Sequence, residues 1–145
     1  MADNVIEFSV LGLPMCQKRH KQWHKGKHTG QVDPSAEAKR EFLLKVQHHA
    51  PNRPWDDPVF LEVRFYFPRP QSHYRIVNGR KLLKNFPPCW YGVKRRHDID
   101  NLLKFVMDAL NGVFFIDDGQ IVAARITKAY TDNQPGTFVH LKKIT

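Results

Sequence analysis

Only two cysteines, Cys16 and Cys89, occur in the 145 residues. Two thiols cannot build a disulfide framework, so we read them as free cysteines of a cytoplasmic protein in a reducing compartment. Uninterrupted apolar runs extend for only a few residues. A membrane-spanning helix needs about 20, so no span is expected. The opening residues, Met1-Ala2-Asp3-Asn4, lack the basic start and apolar stretch of a secretory leader. Repeats and low-complexity tracts are absent. Acid is scarce: 14 Asp and Glu against 23 Lys and Arg leave a net charge of +9. A surplus of that size speaks to partners rather than to fold, and it points to a polyanion. Nucleic acid is preferred over a membrane surface because no basic amphipathic helix is evident. What is present suffices for one domain over residues 1–145. Hydrophobic residues make up 41% of the chain, too many for a disordered tail.

The positive charges are bunched. Residues 8–32 contain no acid but carry Lys18, Arg19, Lys21, Lys25 and Lys27. Residues 63–97 again lack acid and hold nine cations, among them Arg69, Arg75, Lys94, Arg95 and Arg96. Trp23 lies in the first stretch, and Tyr74, Phe86, Trp90 and Tyr91 lie in the second. Cations for phosphates with rings for bases make a strand-binding surface. The sign then reverses: Asp98, Asp100, Asp108, Asp117 and Asp118 fall between positions 98 and 118. Such a gathering calls either for Lys or Arg partners or for a divalent cation.

Hydrophobic periodicity predicts strands at residues 5–11, 59–67, 113–116, 120–130 and 137–144. Helices are expected at 33–49, with Asp33 as N-cap and Pro34 at the first helical position, and at 101–111, closed by Asn111-Gly112. Residues 14–32 read as a basic loop and 68–97 as a long basic insertion, a length that is usually functional. The order β-α-β-α-β-β-β implies an α+β two-layer sandwich, a mixed sheet with two helices on one face.

Asp98 and Asp100 face the same way if the chain there is extended, at the end of a helix whose dipole favours anions. An extended return over residues 113–117 covers about 16 Å, which brings Asp118 back beside the helix start. Three convergent carboxylates need a hard dication between them, and Mg²⁺ with oxygen ligands fits, with Mn²⁺ as the alternative. Such an ion activates water and stabilises the departing oxygen of a phosphodiester. Lys104, one turn beyond Asp100, is placed to meet the phosphate. The competing reading makes these residues a helix cap, an Asp100-Lys104-Asp108 ladder and a turn at Asp117-Asp118-Gly119. Asp108, at mid-helix, is read as structural.

The run His97-Asp98-Ile99-Asp100-Asn101-Leu102-Leu103-Lys104, then Asp108-Ala109-Leu110-Asn111-Gly112, then Asp117-Asp118-Gly119-Gln120-Ile121 resembles the RusA family of Holliday junction resolvases. The resemblance is close over these segments and loose elsewhere. It implies a homodimeric, Mg²⁺-dependent endonuclease of DNA recombination and repair that nicks opposite strands of a four-way junction. It assigns Asp98, Asp100 and Asp118 as catalytic metal ligands, with Asp117 beside the third, and Lys104 as the essential lysine. Two other readings are carried: a non-catalytic junction-binding accessory protein, and a nucleotide phosphohydrolase. A further spacing, Cys16, His20, His24 and His28, forms one face only if the segment is helical, and Gly26, Gly30 and Pro14 argue against a helical zinc site there.

Overall fold

The computed structural model describes residues 4–145, so Met1, Ala2 and Asp3 of the segment inspected for a leader lie outside the described residues. The fold is organised by one strand, β4 (Val59–Pro68), whose strict alternation sends Val59, Leu61, Val63, Phe65 and Phe67 into the core. Glu62 and Arg64 occupy its other face. Around it form β1 (Val5–Leu11), β7 (Ile121–Thr131) and β8 (Gly136–Lys143), in the order β1-β8-β4-β7. β8 is antiparallel to β1 and β4, whereas β4 and β7 are parallel, so the sheet is mixed. β4 separates the consecutive strands β7 and β8, and the link 132–135 therefore bridges two strand spacings, about 10 Å, instead of closing a hairpin.

Two helices cover one face. α1 (Ala36–Val46) buries Phe42 and Val46, and α2 (Ile99–Leu110) buries Leu102, Phe105, Val106, Ala109 and Leu110. The Phe42 and Phe105 rings meet edge-on with centroids 5.9 Å apart, which packs the helices side by side. α2 is the crossover between the parallel strands β4 and β7. The expected α+β sandwich is thus the architecture observed. No helix among the described residues is long and apolar enough to cross a membrane.

Four local expectations are corrected. α1 is shorter than expected, and its cap position is Ser35, not Asp33; the Asp33 carboxylate instead accepts from Ser35 N at 2.9 Å. α2 begins at Ile99, which makes Asp98 the cap residue and places Asp100 inside the first turn. Residues 113–116 are a tight turn, not a strand. Gly112 takes φ +81°, Phe114 N donates to Leu110 O, and the adjacent rings of Phe114 and Phe115 are both fully buried, which a strand with one covered face does not allow. The two basic loops contain hairpins: β2 (Lys21–Lys25) with β3 (His28–Val32), and β5 (Tyr74–Val77) with β6 (Arg80–Leu83). The second turns through Asn78-Gly79, both at positive φ (50° and 74°), the geometry of a type I′ hairpin.

Candidate active site at the start of helix α2

After β6 the chain returns alongside the edge of β7, where Tyr130 N donates to Cys89 O and Tyr91 N to Lys128 O. It then turns sharply into α2. Arg95 (φ 63°) and His97 (φ 49°) both adopt left-handed backbone, at a cost of about 1–2 kcal/mol each for residues bearing a Cβ. Tertiary contacts hold this turn. Lys128 Nζ donates to His97 O at 2.9 Å, and the His97 ring packs on Phe67 at 4.8 Å. Burial first, then Lys128 and Arg96, push the His97 imidazole below its ordinary pKa. Burial raises the Tyr91 phenol, whose hydroxyl and His97 Nδ1 share a hydrogen bond at 3.0 Å.

Out of this turn come the two carboxylates. Asp98 has extended backbone and its carbonyl accepts from Leu102 N, but its side chain caps nothing. Asp100 lies in the first turn. Both are exposed, and neither carboxylate has a hydrogen-bond or ion-pair partner among the described residues. The segment ahead of β2 crosses this helix start: Gln17 N donates to Asn101 O at 3.0 Å. Cys16 lies close enough that burial, then Asp98, then Asp100 raise its thiol against the opposing pull of Lys128. Gln17 is itself buried, with its Oε1 unpartnered.

Lys104 stands one turn along α2, with its exposed ammonium 3.4 Å from Asp108 Oδ2. Asp108 is structural: it also takes Lys39 Nζ at 2.9 Å, and Lys39 in turn reaches Asp33 at 2.8 Å. Asp33 further accepts from Gln17 Nε2 at 2.8 Å. This relay ties the base of the β2–β3 ribbon to both helices. The Lys39 hydrogen bond, with those of Gln17 and Ser35, outweighs burial and holds the Asp33 carboxyl well below the usual carboxylate range. A depressed folded-state pKa stabilises the fold above the unfolded value near 4, and that contribution is lost as pH falls further. Asp33→Asn is therefore expected to lower stability by about 1.5 kcal/mol at pH 7. The urea midpoints of variant and wild type should converge as pH is taken down through 4 towards 2.

Asp117 and Asp118 lie at the other end of the sheet. Asp117 accepts from Gly119 N at 2.9 Å and caps the short turn Asp118–Gln120, so its carboxylate is engaged. Gln120 Nε2 pins that turn to Trp55 O and Asp57 O. The Asp118 side chain is half-buried and without a partner among the described residues. Ile121 pairs with Val59 at one end of β4, whereas His97 packs on Phe67 at the other. Eight strand residues separate these points, about 26 Å. Among the described residues no three His, Cys, Asp or Glu side chains converge on one ion. The expected meeting of Asp118 with Asp98 and Asp100 inside one chain does not occur, because residues 113–116 turn rather than run back along α2. The pair Asp98 and Asp100 by itself suits a hard cation: exposed, unpaired oxygen donors at the positive end of a helix dipole.

Of the cations singled out from sequence, Lys18, Arg19, Lys21 and Lys25 are exposed on or before the ribbon. Arg75 is exposed on β5, and Lys94, Arg95 and Arg96 are exposed on the turn that leads into Asp98. Arg69 differs. Its side chain is 7% exposed and is taken up by Asp132 at 2.7 Å, Pro88 O at 2.6 Å and the Tyr130 ring, so it anchors the insertion. Cys16, His20, His24 and His28 are spread over a loop and two strands and form no common face. Lys128, which holds the turn in place, was not singled out from sequence; one lysine in an ordinary strand pattern carries no signal of its own.

An α+β domain that sets two carboxylates, without partners among the described residues, directly after a run of exposed cations has the make-up of a nucleic-acid-cleaving enzyme. The family described as "Endodeoxyribonuclease RusA" matches residues 12–142, and the chain belongs to this family of endodeoxyribonucleases acting on Holliday junctions. It is also similar to the "Uncharacterized protein YqaN" of Bacillus subtilis (strain 168), at 28% identity over 142 residues, covering 97% of each chain.

Proposed function

We propose that the chain works as a homodimer that resolves four-way DNA junctions by paired nicks, with Asp98, Asp100 and Lys104 of one chain completed by Asp118 of the partner subunit. The observation that carries this reading is the pair of carboxylates at the positive end of α2, without partners among the described residues and directly after Lys94, Arg95 and Arg96. A two-fold dimer has two such sites, one for each cut strand. Asp98 and Asp100 would hold the Mg²⁺, which when bound supplies activation of water and relief of charge on the departing oxygen. Asp117 is occupied as a cap and ranks below Asp118.

The chain's own groups do the rest. The exposed Lys104 pair with Asp108 is worth about 0.3–0.5 kcal/mol, little enough that the ammonium can transfer to a phosphate oxygen. Lys94, Arg95 and Arg96 hold phosphates on either side of the reacting one. Lys18, Arg19, Lys21 and Lys25 grip a duplex arm, since a two-stranded ribbon fits a major groove. In-line attack leaves a 5′-phosphate and a 3′-hydroxyl. The substrate puts the work at the nucleoid, in the cytoplasm.

The test sets purified protein and Mg²⁺ against labelled four-way, flap and linear duplex DNA in parallel. Symmetric cuts confined to the four-way junction are expected. A junction shifted on a gel yet left whole at every Mg²⁺ and Mn²⁺ concentration would overturn the reading in favour of an accessory binding module.

A further inference from the structure

Along the turn that leads into α2 lies a cavity of about 290 Å³, lined in part by Val93, Arg96 and His97. Its floor is aromatic. Phe67 and Tyr91 stack with centroids 4.1 Å apart at 21°, and Tyr130 lies 5.3 Å from Tyr91. His97 forms one wall. Leu13 (61% exposed) and Val93 (38% exposed) line the cavity and hold apolar surface in water. Leu13 and Val93 come from the two acid-free stretches, so the cavity is assembled only by the fold. Among the described residues no acid lines the cavity, and the Arg69 guanidinium is already taken up by Asp132 and Pro88 O. Arg96, which also lines the cavity, has no ion-pair partner among the described residues.

The geometry points to a nucleobase subsite: the base flanking the cut phosphate leaves its stack at the branch point and packs in this cavity against the Tyr91 and Tyr130 rings. Three observations support it, given the nuclease reading above, on which it rests. The volume is at the lower limit of small-molecule sites, about 300 Å³, which suits one heterocycle and not a stacked pair. The wall residue His97 directly precedes Asp98, so the cavity and the carboxylates share the turn that leads into α2. Tyr91 is stacked on Phe67 and Tyr130 carries Arg69, so the cavity offers ring edges and apolar walls that do not discriminate between bases, whereas release from the stack is easiest where pairing is already broken. The cavity thereby favours branched over linear DNA without reading sequence.

Photocrosslinking tests this directly. Once the nick has been mapped with Mg²⁺, a four-way junction carrying 5-iododeoxyuridine beside that bond is bound to the full chain in Ca²⁺ and irradiated. Mass spectrometry is expected to find the crosslink on Tyr91, His97 or Tyr130, and to find none there when the probe is moved three nucleotides along the arm. Leu13→Trp, which fills the cavity from an exposed position, should reduce the crosslink at least tenfold while junction affinity falls less than tenfold; Val93→Trp is the second filling variant, should the first fold poorly. Crosslinks confined to the ribbon, or a cavity crosslink that both variants leave intact, would refute the subsite. Junction cutting that persists without a cavity crosslink removes the subsite alone. A chain that cuts no junction removes the nuclease reading as well.

Discussion

Asp100→Asn is expected to abolish junction cutting, by about a thousandfold or more, while leaving junction binding equal or tighter. Removing one of two free carboxylates from a dication forfeits several kcal/mol of transition-state stabilisation, and each 1.4 kcal/mol is tenfold in rate. The same change removes a negative charge from a surface that must approach phosphates. Folding should hardly notice, since the Asp100 carboxylate has no partner among the described residues and its dipole interaction is worth about 0.3–1 kcal/mol. Asp98→Asn should behave alike. A mixture separates a shared site from a self-contained one. If Asp118 serves the partner subunit's pair, a dimer of one Asp100→Asn chain and one Asp118→Asn chain has one site with both lesions and one with none. Each variant alone is then inactive, and the mixture nicks a single strand without resolving the junction. A mixture as inactive as its parents would disprove sharing, and wild-type rates from Asp100→Asn alone would disprove the metal assignment.

The second large effect is that of salt. If about six of the exposed cations contact phosphates, the logarithm of affinity falls with the logarithm of salt at a slope near −5, and raising salt from 50 to 200 mM costs about a thousandfold. Replacing Lys21, Lys25 and Lys27 on the ribbon with alanine should flatten the slope by up to about 3 without altering the thermal midpoint, because every residue of β2 is exposed. Arg69→Ala should do the opposite. It should leave the slope unchanged and lower the midpoint, since it uncouples the insertion from Asp132 and Pro88. A slope near −1 for the wild type would fit a nucleotide-sized substrate and contradict a broad DNA-binding face.

The ribbon shows why some elements are hard to read from sequence. Strand β4 declares itself because one face is buried, and burial imposes a period of two on Val59, Leu61, Val63, Phe65 and Phe67. β2 is exposed along its whole length, so no burial pattern marks it, and only the turn between Lys25 and His28 closes the pair. The same holds at residues 113–116, where apolar character was visible but two adjacent buried rings belong to a turn.

Composition and motif alone determined that the chain is an α+β domain of strong positive charge whose acids gather at 98–118, because charge, periodicity and spacing are local properties. Only the tertiary structure decided how those acids group. Asp98 and Asp100 have no partner among the described residues and follow Lys94, Arg95 and Arg96, Asp108 is neutralised by Lys39, and Asp118 sits a strand's length away. Which end of a sheet a residue reaches depends on the direction in which a crossover helix returns its strand, and that direction is settled by packing across the whole core.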